Sequence, residues 1–186
     1  ESFKLNCGEF MPGQRYENVC KDMKIDFSGK KFIVFELTRI KQDRFLSNLV
    51  MSMIFTVIQK KLLSDRRKRG ILIFDEYAET AQMVDTATGS GIHSSVAFCY
   101  QKIRKENGAV YTIVQTPDQL PDDENTKNII GNTDMLFVLP TKEVIYRSII
   151  DKFKLTQAGQ IALMKSMRNN FSCSRPYSEC FMRMGE

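Results

Sequence analysis

The stretch Gly70-Ile71-Leu72-Ile73-Phe74-Asp75-Glu76 constrains this chain more than any other. Four consecutive apolar residues read as a strand fully buried between helices, and that strand ends on two adjacent carboxylates. Burying a strand tip beside two anions is costly unless a cation or a reacting water sits there. A functional site is therefore expected at the tip. No Gly-x-x-x-x-Gly-Lys-Ser/Thr loop, the usual cradle for phosphates, occurs anywhere in the 186 residues.

Around this strand the chain alternates apolar runs with helical patterns. Residues 1 to 30, punctuated by Gly8, Pro12, Gly13 and Gly29, read as loop or short antiparallel strands. Phe32 to Leu37 is a strand candidate. A helix is expected from Asp43, which can cap it, to about Ser64, with Leu46, Val50, Ile54, Ile58 and Leu62 recurring every fourth residue. Asp65 to Arg69 forms a charged turn before the acidic strand. A short helix follows Glu76 to about Met83, then a small, polar, flexible loop at Asp85 to Gly91. A helix from Ser95 to Glu106 ends on Asn107-Gly108, a helix-stop signal. Further strands are expected at Ala109 to Val114, Asp134 to Leu139, and in the tail at Tyr177 to Met184. Between them lie a short helix near Asn128 to Ile130, a helix at Lys142 to Phe153, and another from Thr156, as cap, to Met167. This alternation argues for an α/β fold with a mostly parallel sheet covered on both faces. In such sheets the active crevice lies outside the carboxyl ends of the strands. That rule selects Asp75, Glu76 and Gln115; Glu36, a third polar strand tip, reads as structural.

Composition adds limits. At 42% hydrophobic and 26% charged residues the chain is an ordinary globular one, long enough for one domain with a real core. Its net charge of +5 permits contact with nucleic acid or anionic lipid without demanding either. Five scattered cysteines (Cys7, Cys20, Cys99, Cys173, Cys180), with no Cys-x-x-Cys pair, fit a reduced cytosolic chain better than a disulfide framework or zinc site. The single His93 cannot anchor a Cys/His ligand set or a Ser/His pair, and reads as a plain surface or helix-end residue. The longest apolar stretch, Leu49 to Ile58, is interrupted by Ser52 and Thr56 and is too short to span a bilayer.

Four features follow one another in order: Asp75-Glu76 at a strand end, Arg104-Lys105 at the end of the next long helix, Gly108, and Gln115 at the end of the next strand. Phosphoryl transfer needs a metal holder, a group positioning the attacking water, a cation for the developing charge, and a polar sensor. Asp75, Glu76, Arg104 and Gln115 have the chemistry for those roles.

In the order of these motifs the chain resembles the C-terminal half of conjugation and type IV secretion ATPases. This TraC-like and conjugative-transposon TraG-like group belongs to the HerA/FtsK superfamily of RecA-like hexameric motors. Phe35-Glu36-Leu37, Ile71 to Glu76, Ile103 to Gly108 and Val114-Gln115-Thr116 carry the likeness. So do Ile129 to Asp134 before an apolar strand, the Leu155-Thr156-Gln157 helix with Met164-Lys165-Ser166, and the tail Arg175 to Glu179. The likeness spans nearly the whole chain, although only the order of the motifs is specific.

The resemblance implies that residues 1–186 are the C-terminal portion of a single RecA-like P-loop NTPase domain, lacking the P-loop strand and helix, with the phosphate-gripping loop upstream of residue 1. Asp75 would then be the Walker B acid on the Mg²⁺ side, Glu76 the activator of water, and Gln115 the polar sensor. Arg104 would act on ATP in its own or a neighbouring subunit. ATP and Mg²⁺ would be the cofactors of the complete domain. Partners would be like subunits in a ring, membrane components of a conjugation or secretion system, and DNA as a further candidate, at the cytoplasmic face of the inner membrane. One departure stands out: many relatives continue the acid pair with Ala-Trp, where this chain has Tyr77-Ala78-Glu79. Substrate-coupling ATPases of the superfamily often carry an aromatic there.

Plainer explanations exist for each residue. An Asp-Glu pair can cap the next helix, and Arg104-Lys105 can complement a helix dipole. Gln115 before Thr116-Pro117 can be turn chemistry. At the level of function, a DNA-pumping translocase or coupling ATPase, and a non-catalytic assembly domain, remain alternatives to a motor energising transfer.

Overall fold

The computed structural model describes residues 7–21, 27, 29–40, 42–62, 67–82, 91–172, 174 and 176–185. Nearly all of the expected loop at 85–91, the start of the charged turn at 65–69, and Arg175 in the tail lie outside these residues. The chain divides into two compact units, Glu1–Met51 and Ser52–Glu186.

In the first unit, two 3-10 turns, Gly8–Phe10 and Glu17–Cys20, frame an aromatic cluster. Phe10, Tyr16 and Phe45 bring their ring centroids within 5.3 to 5.9 Å of one another. The Tyr16 hydroxyl donates to Asp43 at 2.8 Å, and Arg15 pairs with the same oxygen at 2.8 Å. Asp43 also accepts the Leu46 N–H at 3.1 Å, capping helix α1 (Arg44–Leu62) as the sequence suggests. That N–H, against some desolvation and with help from Tyr16 and Arg15, holds the Asp43 carboxyl below the usual carboxylate range.

The expected strand at Phe32 to Leu37 does not form among the described residues. No ladder among the described residues pairs that segment, and Phe32 and Val34 face solvent. Glu36 turns back to accept the Thr38 N–H at 2.8 Å, a local turn that competes with strand hydrogen bonding.

The second unit holds the expected strand–helix alternation. Strand β1 (Gly70–Phe74) leads into helix α2 (Tyr77–Ala81). Helix α3 (Ile92–Lys102) tightens into a 3-10 turn, Ile103–Glu106, before strand β2 (Gly108–Thr112). The two strands pair in parallel, with Gly70 opposite Gly108 and Phe74 opposite Thr112. Asn107 takes the left-handed conformation that ends the helical run, φ 58°. A Cβ on Gly108 would lie 2.6 Å from Ile103 Cγ1 and 3.3 Å from the Gly70 carbonyl oxygen, so this close approach requires glycine. Phe55 of α1 stacks on Phe74 with centroids 6.0 Å apart.

Downstream come α4 (Glu124–Gly131), β3 (Met135–Val138), α5 (Glu143–Phe153), α6 (Ala158–Lys165), and the short strands β4 (Asn169–Asn170), β5 (Tyr177–Ser178) and β6 (Phe181–Met184). Helix α6 starts after Gln157 rather than Thr156. The described strands form three two-stranded sheets: β1–β2 parallel, β3–β6 and β4–β5 antiparallel. The fold is thus a mixture of helices and strands with a small parallel sheet. Strand β3 pairs with the chain's own tail, because β6 presents Phe181 to the core that Val138, Tyr146, Ile149, Leu155 and Met164 build.

Full burial of β1 is corrected as well. Ile71 and Ile73 are 65% and 58% exposed, while Leu72 and Phe74 turn inward. Alternate residues of a strand point to opposite faces, so only one face of this pair is covered.

Candidate active site

Asp75 and Glu76 leave β1 at its carboxyl end, and Gln115 follows β2 at the same end. The ladder continues past the strands: Ile113 N–H donates to the Phe74 carbonyl at 2.9 Å, and Tyr77 N–H donates to the Ile113 carbonyl at 2.9 Å. These bonds clamp the acid turn against the segment running to Gln115. All three polar side chains are exposed on this rim, where a solute can reach them.

Glu76 stands in a left-handed conformation, φ 47°, ψ 41°, at the cap position of α2. A residue with a Cβ pays roughly 1–3 kcal/mol for that geometry, and it persists where surrounding bonds over-determine it. Its own N–H donates to Asp75 Oδ1 at 2.9 Å, and its carbonyl accepts Glu79 N–H at 3.1 Å. The effect is a sharp strand-to-helix corner that sets two consecutive carboxylates on the rim.

Arg104 is placed differently. Its backbone lies in the 3-10 turn Ile103–Glu106, which joins the amino end of β2. Four strand steps separate Gly108 from Thr112, about 13 Å at the usual rise per residue. The turn carrying Arg104 therefore sits at the end of the parallel pair opposite to Asp75, Glu76 and Gln115.

Among the described residues, no group of three or more His, Cys, Asp or Glu side chains could hold a metal ion by itself. A pair of hard oxygen donors on an open rim fits Mg²⁺, which takes one or two carboxylates and completes its shell with water and phosphate oxygens. A groove of about 480 Å³ is lined by Asp118, Asp122, Val144, Arg147 and Asp151, among others, and includes none of Asp75, Glu76 and Gln115. Its mixed charges and separate lining leave the rim as the better site.

The sequence reading missed His93. It is the second residue of α3, a helix end as expected, but only 3% exposed rather than on the surface. The hydroxyl of Tyr77, which is 0% exposed, lies 2.6 Å from His93 Nδ1. His93 Nε2 lies 2.9 Å from Thr126 Oγ1 and 3.1 Å from Asp123 Oδ1. Thr126 gives its own hydroxyl hydrogen to the Pro121 carbonyl at 2.5 Å, so toward His93 it accepts. Asp123 can only accept. A hydrogen therefore sits on Nε2, and in the neutral ring Nδ1 accepts from Tyr77. Burial pushes the Tyr77 phenol well above its ordinary range, keeping it a donor. Partial desolvation of Asp123 is outweighed by the Thr126 N–H and His93, which hold its carboxyl low. A signal was present in the sequence: His93, Val96 and Ala97 share the buried stripe of α3 at helical spacing.

A solved structure, that of VirB4 of Thermoanaerobacter pseudethanolicus, resembles this chain with a TM-score of 0.51 and 18% identity. The match takes in 83% of this chain and 42% of that one, so this chain spans less than half of its structural relative; at such identity the likeness is one of fold. No curated protein matches the chain in sequence. The TraG P-loop domain pattern matches residues 2–186, which meets the expectation drawn from the ordered motifs. The chain belongs to the TraG P-loop domain family.

Proposed function

We propose that this chain is the C-terminal portion of a RecA-like motor ATPase domain that energises conjugative transfer or type IV secretion. The observation that carries the reading is the shared rim: Asp75-Glu76 and Gln115 leave the same end of one parallel strand pair, clamped by the Tyr77–Ile113 and Ile113–Phe74 hydrogen bonds. Family membership supports the nucleotide chemistry.

In this reading Asp75 faces the magnesium shell. Glu76 orients the attacking water and takes its proton. Gln115 hydrogen-bonds near the γ-phosphate and senses its loss. Mg²⁺, when bound with ATP, neutralises charge on the phosphate oxygens. The phosphate-gripping loop is supplied by sequence outside residues 1–186. Arg104, at the opposite end of the strand pair, serves the nucleotide of a neighbouring subunit in a ring; its position favours action in trans over action in cis.

The test is Mg²⁺-dependent ATP hydrolysis by the full-length protein and its Asp75→Asn variant. Turnover should vanish with EDTA and fall about 10²-fold or more in the variant, in keeping with the loss of an electrostatic contributor. Metal-independent hydrolysis, or a variant with the wild-type rate, contradicts the reading.

A further inference from the structure

The buried Tyr77–His93 pair does a job the rim residues cannot do alone. Glu76 occupies a left-handed turn that an isolated glutamate rarely adopts, so something must hold it. The next residue, Tyr77, is fixed at both ends. Tyr77 is tied through its N–H to the Ile113 carbonyl at 2.9 Å and through its hydroxyl to His93 at 2.6 Å. Its ring is wedged between Phe74 and His93, with centroids 5.8 Å away in each case.

His93 is immobilised in turn. Its far nitrogen meets Thr126 and Asp123 in the first turn of α4, where Asp123 also caps the helix by accepting the Thr126 N–H at 2.9 Å. Every polar atom in this line has a partner, and satisfied buried networks rigidify what they join. The line runs from the rim corner, through α3, to the start of α4.

We propose that Tyr77 and His93 are positioning residues that hold Glu76 in its left-handed corner, so that its carboxylate addresses the attacking water. The inference rests on the reading of Glu76 as the water activator. Losing the phenol–imidazole bond leaves the ring packing in place but frees the corner to relax. The loss appears in the chemical step, because nucleotide is held by other groups.

The experiment uses the full-length ATPase and four variants: Tyr77→Phe, His93→Gln, His93→Leu and Glu76→Gln. For each, kcat, KM for ATP and melting temperature are measured, with rates normalised to sites that bind a fluorescent ATP analogue. Tyr77→Phe should lower kcat about tenfold with KM unchanged, the scale of one lost hydrogen bond expressed in the transition state, and His93→Leu, which also strips Thr126 and Asp123 of their partner, at least as much. His93→Gln, whose amide both donates and accepts, should recover most of that loss. Should His93→Leu fail to fold, Tyr77→Phe and His93→Gln decide, since both keep the buried volume.

Wild-type kcat per binding-competent site in Tyr77→Phe, alongside an inactive Glu76→Gln, overturns the positioning role and leaves the reading of the rim standing. A parallel rise in KM in Tyr77→Phe also overturns it. An active Glu76→Gln sinks the reading of the rim itself, whatever the other variants do.

Discussion

At the scale of single residues, the acid turn and its buried support differ in how they could be read. Although such a pair can also cap the next helix, Asp75 and Glu76 stand out in the sequence as two carboxylates ending an apolar run. His93 does not. It meets Tyr77, Asp123 and Thr126 across 16, 30 and 33 residues of sequence, and no local pattern encodes such a meeting. Only its place on the apolar stripe of α3 hinted at burial. Asp123 carries two predictions. Asp123→Ala removes the α4 cap and should cost about 0.5–2 kcal/mol, read as a lower melting temperature. Its carboxyl is held low in the folded state, so its contribution is present above the unfolded value, near 3.9, and is lost as pH falls through the lower folded value. Asp123→Asn should therefore flatten the acid limb of stability below about pH 4. An unchanged acid limb contradicts this.

At the scale of elements, periodicity served well where one face is apolar and the other wet. Helix α1 forms at Arg44–Leu62, within the expected span, capped by Asp43 as anticipated, and α5 ends at Phe153 as read. Continuous apolar runs were less informative. A run such as Ile71 to Phe74 looks the same whether one face is covered or two, and Ile71 and Ile73 lie open. Phe32 to Leu37 has strand composition, yet composition without a paired neighbour does not make a strand. The core below β3 offers a sharp test between adjacent positions of α6. Met164 is fully buried and Leu163 is 66% exposed. Met164→Ala should lower unfolding free energy by about 2–5 kcal/mol, and Leu163→Ala by no more than about 0.5. Chemical denaturation of both variants checks the contrast, and equal losses would contradict this orientation of α6.

At the scale of the whole molecule, the β1–β2 pair puts the acid rim and the Arg104 turn at opposite ends, a geometry suited to a ring in which each subunit completes its neighbour's site. That arrangement predicts complementation. Arg104→Ala and Glu76→Gln subunits, each inactive, should regain turnover when mixed, because some interfaces then join an intact glutamate to an intact arginine. Mixtures no more active than either variant point to an arginine acting within its own subunit. Among the described residues no helix is long and apolar enough to cross a membrane. The net charge of +5 leaves DNA contact open; stimulation of hydrolysis by DNA, fading as salt rises, would favour the translocase alternative.

The central claim is that the carboxylates ending β1 serve a nucleotide and its attacking water. The most direct measurement is ATP binding and single-turnover hydrolysis by the full-length protein carrying Glu76→Gln. Binding should persist while the hydrolytic rate falls about 10²- to 10⁴-fold, the effect of removing a general base. Near-normal hydrolysis in that variant would contradict the claim outright.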